Sequence, residues 1–125
     1  MEPVNTEHTL EKLHNEWLGT LLAYEQHLNS TEAVTNQLQS SVNDMQFQRE
    51  LQQLRTEIVN QKNTITALSS DIMQLRNRFS ARDEKKVISM ADLIENNRFR
   101  DKVRKSEQNI FMLKYQASKL LSIAS

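Results

Sequence analysis

Hydrophobic residues recur along the chain at helical spacing and divide it into three segments. The first, about residues 6–40, repeats its apolar positions three or four residues apart, which is the period of a helix that buries one face. The second, about 44–80, keeps a stricter spacing, and the third, about 89–123, carries a stripe that widens towards its C-terminal end. The pattern predicts an all-α fold of long helices with a central coiled-coil segment.

Capping signals and polar stretches place the breaks between these helices. A Ser followed three residues later by an acid is typical of a helix start, and Ser41–Asp44 and Ser89–Asp92 have this form. The predicted breaks are at 40–44 and over about 81–88. Asn29–Glu32 also resembles a helix start, so the first helix either runs through about 6–40 or is broken near 29–31. The whole chain, 1–125, is then one helical unit, arranged as a three-helix bundle or a dimeric helical bundle.

The middle segment has the most specific pattern. With Leu51 at heptad position a, the a and d positions between 47 and 79 are large and apolar except for Gln61. A period of 3.5 residues held over this length is typical of a left-handed coiled coil. We call these positions the heptad seam: Phe47, Leu51, Leu54, Ile58, Gln61, Ile65, Leu68, Ile72, Leu75 and Phe79.

Charges beside the heptad seam indicate how two copies would pair. In a parallel homodimer each g position faces an e position of the partner chain, and antiparallel copies would set like charges together. Ile at a with Leu at d also favours two parallel strands. The sequence predicts a parallel homodimer with its Gln61 residues in register. The expected interchain ion pairs join Glu50 to Arg55, Glu57 to Lys62 and Asp71 to Arg76.

The heptad seam also fits a second arrangement. Its apolar stripe can pack inside one chain, against the third helix, as a hairpin. The agreement between g and e charges would then be a coincidence. Because a hairpin leaves the chain monomeric, the mass in solution distinguishes the two arrangements.

The outer helices carry more apolar side chains than a two-stranded seam uses. Unpaired apolar patches mark interaction sites, and aromatic residues are the usual anchors there. We expect these side chains either to cover one another in a bundle or to bind a protein partner. The set comprises Trp17, Leu18, Leu21 and Tyr24 in the first helix and Phe111, Met112 and Tyr115 in the third.

Composition adds a charge asymmetry that the zero net charge conceals. Residues 1–50 hold eight acids and two bases, whereas residues 51–125 hold eight acids and fourteen bases. Three explanations stay open: a basic face for an acidic partner or nucleic acid, an acidic helix packed on a basic one, or a solvated surface.

The bases between residues 76 and 105 support an alternative function, that of a dimeric helical protein associated with nucleic acid. Asp101 interrupts them, and they spread around a helix instead of along one stripe. A DNA-reading helix usually carries fewer acids, so we rank a protein partner first. The candidate nucleic-acid contacts are Arg98, Arg100, Lys102, Arg104 and Lys105.

The chain offers little for catalysis or cofactor binding. It has no Cys, one Gly and one Pro, which excludes thiol chemistry and Gly-rich phosphate loops. Glu11 and His14 have the spacing used in di-iron bundles, but no second such pair accompanies them. We expect no enzyme activity and no catalytic residue, cofactor, metal site or small-molecule substrate.

These features together predict a non-enzymatic coiled-coil assembly or adaptor protein that homodimerises through its middle helix and offers helical surfaces to a protein partner. No apolar run approaches the roughly 18 residues of a membrane span. The start of the chain, MEPVNTEHT, resembles neither a signal nor a transit peptide. We therefore expect no membrane association and, by default, a cytoplasmic location.

Overall fold

Three long helices make up the protein in the computed structural model, which describes residues 6–80 and 88–125. They are α1 (Thr6–Leu38), α2 (Met45–Ser80) and α3 (Met90–Ala124). The described residues contain no strand. The predicted all-α fold is confirmed.

Asp44 caps the start of α2, but the capping box predicted between Ser41 and Asp44 does not form. The Asp44 carboxylate accepts a hydrogen bond from the backbone N–H of Phe47 at 3.3 Å, as an N-cap residue does. The Ser41 hydroxyl instead donates to the backbone carbonyl of Gln37 at 3.0 Å. The chain therefore turns between α1 and α2 within the predicted hinge.

The predicted break near 29–31 is absent, because α1 runs through it. The hydroxyls of Ser30 and Thr31 donate to the carbonyls of Gln26 and His27, at 3.1 and 2.9 Å. A Ser or Thr hydroxyl that bonds back to the carbonyl of residue i−4 lies within a helix and does not cap a new one. The hydroxyl-bearing pattern that resembles a helix start is here part of a helix interior.

A capping box begins α3, as the sequence predicts. The Ser89 hydroxyl accepts from the backbone N–H of Asp92, and the Asp92 carboxylate accepts from that of Ser89, both at 3.1 Å. These bonds satisfy two of the free amide groups at the helix start. Residues 81–87 of the predicted loop lie outside the described residues.

Side-chain contacts fix the direction of α1 against α2. The Arg76 guanidinium donates to the Asn15 amide oxygen at 2.8 Å, and that of Arg55 donates to Asn36 at 2.9 Å. Since the later residue of α1 meets the earlier residue of α2, the two helices run antiparallel.

The third helix runs parallel to α1. His14 bonds to Asn96 at 2.7 Å, and the Lys114 ammonium lies 3.0 Å from Nδ1 of His27. Residues therefore meet in the same order along both helices. Each helix also contacts the other two, which makes a closed three-helix bundle.

Each helix buries a narrow stripe whose members alternate three and four residues apart, as in other bundles. The heptad seam is the stripe of α2. In α3 the buried residues are Asn96, Val103, Ser106, Ile110, Leu113, Ala117 and Leu120. Among the described side chains of α1 they are Leu10, His14, Trp17, Leu21, Leu28, Thr31, Thr35 and Leu38. Beside the stripe of α1, Leu18 and Tyr24 pack partly buried against the core. Beside that of α3, Phe111, Met112 and Tyr115 are exposed, so the buried stripe of α3 is narrower than predicted.

Gly19 lies on the outer face of α1, and a Cβ built on it has no neighbour within 4 Å. We expect Gly19→Ala to raise the free energy of unfolding by roughly 1 kcal/mol, because Ala restricts the unfolded chain and suits a helix interior. Urea denaturation of the two proteins measures the difference. A destabilised variant would show that the added Cβ clashes with a group that lies closer to Gly19 than the structure places it.

Candidate interaction surface on the third helix

The whole heptad seam is buried inside one chain. Its apolar members are 5% exposed or less, and Gln61 is 8% exposed. Both α1 and α3 cover the seam, so the structure adopts the intrachain arrangement, with α1 as a second covering helix. The seam is therefore closed before any second copy is added.

The bases beside the seam have partners on α1. Lys62 forms an ion pair with Glu32 at 3.2 Å, and Arg55 and Arg76 bond to Asn36 and Asn15. The interchain pairs proposed for a dimer would require these three bases to leave their present partners. The parallel homodimer stays a prediction, and this geometry does not support it.

We expect the protein to be a monomer of 14.6 kDa in light scattering, because every seam side chain already has a cover. With Gln61 buried between helices, Gln61→Cys should remain free of interchain disulfide under mild oxidation. Asn63→Cys, at an exposed position two residues away, is a control for general thiol reactivity. A dimeric mass together with rapid linkage specific to residue 61 would restore the parallel dimer.

The predicted surface residues of α1 belong mainly to the core. Trp17 and Leu21 are 8% and 0% exposed, and Leu18 and Tyr24 are partly buried against the same core. Burial and the neighbouring Glu107 carboxylate raise the pKa of the Tyr24 hydroxyl. These residues help to close the bundle of one chain, but they do not cover the α3 residues of the predicted set, which are exposed.

The predicted surface residues of α3 face solvent. Phe111, Met112 and Tyr115 are 74%, 58% and 65% exposed. Tyr115 follows Phe111 by four residues and Met112 by three, so it lies beside both on the helix surface, on the side opposite the buried stripe. We call these three side chains the α3 patch. Contiguous exposed apolar surface of this kind marks interaction sites.

Basic side chains stand at both ends of the α3 patch. Arg104 and Lys105 lie about two turns before its centre and Lys119 about two turns after it, and all three are exposed. None forms an ion pair with another described residue. Two exposed acids lie in or beside this stretch: Asp101 is 3.4 Å from Arg100, and Glu107 lies on the side of α3 that neighbours Tyr24 of α1. The outer face of α3 is therefore apolar at its centre and positive at either end.

The acidic and basic parts of the chain meet without neutralising one another. Polar contacts between α1 and α3 include His14 with Asn96, His27 with Lys114 and Tyr24 with Glu107; none of them pairs an acid of α1 with a base of α3. The ion pair made by α1 joins Glu32 to α2. The bases Arg104, Lys105 and Lys119 of α3 are thus left without an ion-pair partner among the described residues.

The candidate nucleic-acid contacts do not share one face. Arg98, Arg104 and Lys105 point outward, whereas Arg100 is half-buried beside Asp101. The ammonium of Lys102 lies 5.5 Å from the centre of the Phe99 ring, in a cation–π contact. Only part of the predicted set is available to a phosphate backbone.

A groove between α2 and α3 runs beside the α3 patch. Two cavities of about 400 and 480 Å³ lie along it, and both are lined by Gln61, Thr64 and Asn109. Asn109 donates to the Gln61 amide oxygen at 3.2 Å, while the buried Gln61 Nε2 has no described acceptor. Met112 lies on the edge of this groove.

His14, which has the spacing of a di-iron ligand relative to Glu11, is a fully buried core residue. Its Nε2 donates to the Asn96 amide oxygen at 2.7 Å, and its ring lies 5.4 Å from Trp17 and 5.7 Å from Phe79. Burial lowers the pKa of His14, the bond to Asn96 opposes this shift, and Arg76 adds to it. Within the described residues no three potential metal ligands cluster.

Acid should destabilise the bundle through His14. Its pKa in the folded protein lies below the 6.5 of an exposed histidine, so protons bind the unfolded chain preferentially. The stabilisation present above pH 6.5 is then lost as the pH falls below that value. We expect the urea midpoint to fall between about pH 6.5 and 5, above the range where most carboxylates titrate. In His14→Leu this part of the pH dependence should disappear, and an unchanged slope would contradict the assignment.

Two asparagines that hydrogen-bond to buried side chains were not among the predicted sites. Asn96 and Asn109 are the partners of His14 and Gln61. Extending the stripe of Val103 and Ile110 back by one heptad places Asn96 inside the bundle, which is a signal available in the sequence. Asn109 lies beside the stripe and has no comparable signal.

No protein-family model matches the chain, and the curated proteins and solved structures compared with it show no match. None of the described helices is both long enough and apolar enough to cross a membrane. The α3 patch and the bases beside it are therefore the features of the molecule from which a function can be inferred.

Proposed function

We propose that this chain is a non-enzymatic helical adaptor that binds a protein partner through the α3 patch. The observation that carries the proposal is the exposure of Phe111, Met112 and Tyr115 on a helix whose interior stripe is already filled. Exposing an aromatic ring, a thioether and a phenol side by side has no evident role in the stability of the bundle. Aromatic residues, Met and Arg are also the types enriched in protein interfaces.

The proposal uses the bundle as a rigid support. A binding surface on a long helix keeps its side chains at fixed spacing, so little conformational entropy is lost on binding. The heptad seam supplies that rigidity from within one chain. The predicted homodimer is not needed for this function.

Affinity capture from the cells that express the protein tests the proposal. We expect the double variant Phe111→Ala/Tyr115→Ala to lose a protein that the unmodified bait retains, while its melting temperature stays unchanged. Leu22→Ala, which removes a 58% exposed side chain from α1, is the matched control and should retain that protein. Equal capture by all three baits would refute the α3 patch as the binding surface.

Nucleic-acid binding is the second candidate function. The supporting observation is that Arg98, Arg104 and Lys105 are exposed and without ion-pair partners among the described residues. Binding to a duplex through phosphates would weaken steeply as salt rises. A steep slope that Arg104→Ala/Lys105→Ala reduces would favour this function, whereas the absence of duplex binding at low salt would exclude it.

A further inference from the structure

The distribution of charge on the outer face of α3 restricts what can bind there. Lys105 precedes Met112 by seven residues and Lys119 follows it by seven, so the two bases stand about 10 Å to either side of the patch centre. Both are exposed and neither has an ion-pair partner among the described residues. A complementary surface must therefore be negative at both ends and apolar between them.

A second copy of the same face does not meet this requirement. Centred on Met112, an antiparallel pair of α3 helices would set Lys105 against Lys119 of the other copy. A parallel pair would set each base against its own counterpart. Since like charges meet in both orientations, self-association through the α3 patch is electrostatically unfavourable.

A nucleic acid fits the ends of this face better than its centre. Its phosphates would pair with Arg104, Lys105 and Lys119, but the stretch between these bases presents Met112 and Phe111, which no phosphate can pair with. Apolar side chains flanked by charges are complementary to a protein segment with the same layout and opposite charge.

We propose, as an inference that rests on the proposed function, that the outer face of α3 binds an acidic amphipathic helix lying along it. The partner helix presents apolar side chains at i, i+3 or i+4, and i+7 to the α3 patch, the spacing by which helices are usually recognised. Its carboxylates, about 14 residues or 21 Å apart, reach Lys105 at one end and Lys119 at the other.

Synthetic helical peptides test this inference by fluorescence anisotropy. The acidic probe is about 22 residues long, or about 33 Å as a helix, with Leu residues at its centre and Glu residues at the two ends. One control peptide replaces the Glu residues by Lys, and another replaces the Leu residues by Ser. We expect the acidic probe to bind at least about tenfold more tightly than either control, and Phe111→Ala to weaken it about tenfold.

Charge reversal supplies the sharper comparison. The double variant Lys105→Glu/Lys119→Glu should bind the Lys-bearing peptide in preference to the acidic probe, because a specificity switch follows the sign of the flanking charges. Lys12→Glu, which reverses an exposed charge on α1, should leave the preference unchanged. Both variants should melt as the unmodified protein does, since the altered side chains are exposed.

Other outcomes would overturn the inference. Equal binding of the three peptides, or a preference that Lys105→Glu/Lys119→Glu does not alter, would show that acidic character is not recognised. Binding of a 20-base-pair duplex or of phosphatidylserine vesicles, without binding of the acidic probe, would assign the face to a different class of partner. If capture of a cellular protein still depends on Phe111 and Tyr115, the proposed function stands although this partner class is wrong.

Discussion

Replacing Trp17 by Ala should lower the free energy of unfolding by about 3–5 kcal/mol. The Trp17 ring is 8% exposed and contacts the main core and His14, so its removal leaves a cavity between α1 and the other helices. Domains of this kind are stabilised by only about 5–15 kcal/mol in total. Urea denaturation followed by circular dichroism measures the loss.

Phe111→Ala is the matched control for this experiment. It also removes an aromatic ring, but from a side chain that is 74% exposed, and we expect the free energy of unfolding to change by no more than about 0.5 kcal/mol. Similar losses in the two variants would mean that Phe111 is covered in solution. A stable Trp17→Ala variant would mean that α1 does not pack as described.

Breaking the buried pair of His14 and Asn96 should have the second largest effect. Asn96→Leu removes the acceptor for Nε2 of His14, and a buried donor left without a partner costs about 1–3 kcal/mol. Replacing both residues by Leu removes the polar groups together, which is commonly neutral or stabilising. We therefore expect the double variant to be more stable than Asn96→Leu alone.

A double-mutant cycle with urea denaturation measures this coupling. Asn97→Leu, at the exposed position next to Asn96, controls for the helix propensity and hydrophobicity of the new residue. If the Asn96→Leu and Asn97→Leu variants unfold at the same urea concentration, the bond between His14 and Asn96 contributes nothing to stability.

Periodicity identified the buried face of α2 because spacing and burial are tied by helix geometry. It does not identify what covers that face. A stripe such as Leu51, Ile58 and Ile65 suits a second copy and two helices of the same chain equally well, since both supply apolar side chains at the same distance. The charges at Arg55 and Lys62 were no better guide, because an Asn or Glu on α1 can take the place of a partner chain's acid.

Polar core positions limited what could be predicted for α1. Thr31 and Thr35 are buried, although residues of this type are commonly found at helix ends and surfaces. The resemblance of Asn29–Glu32 to a helix start is what indicated a break at Thr31. Their hydroxyls bond to carbonyls of the same helix, so burial leaves them satisfied. His14 is explained only when its partner, 82 positions away, is known.

For the α3 patch, the sequence identifies the apolar residues but not whether they are buried. A count of apolar residues near Phe111 and Tyr115 indicates a wider buried stripe or an exposed surface, and the sequence does not distinguish them. The distinction depends on how many helices surround α3, which is a property of the assembled fold. With two neighbours, the strict stripe of Ile110 and Leu113 is sufficient, and the patch is left outside.

The parallel course of α1 and α3 determines how the molecule would transmit tension. The start of α1 and the end of α3 lie at opposite ends of the bundle, about 50 Å apart for a helix of 33 residues. A pull applied to these two points loads the interhelical contacts in shear along their full length, so that many contacts resist together instead of separating one at a time. The bundle would therefore resist extension when its two ends are pulled apart.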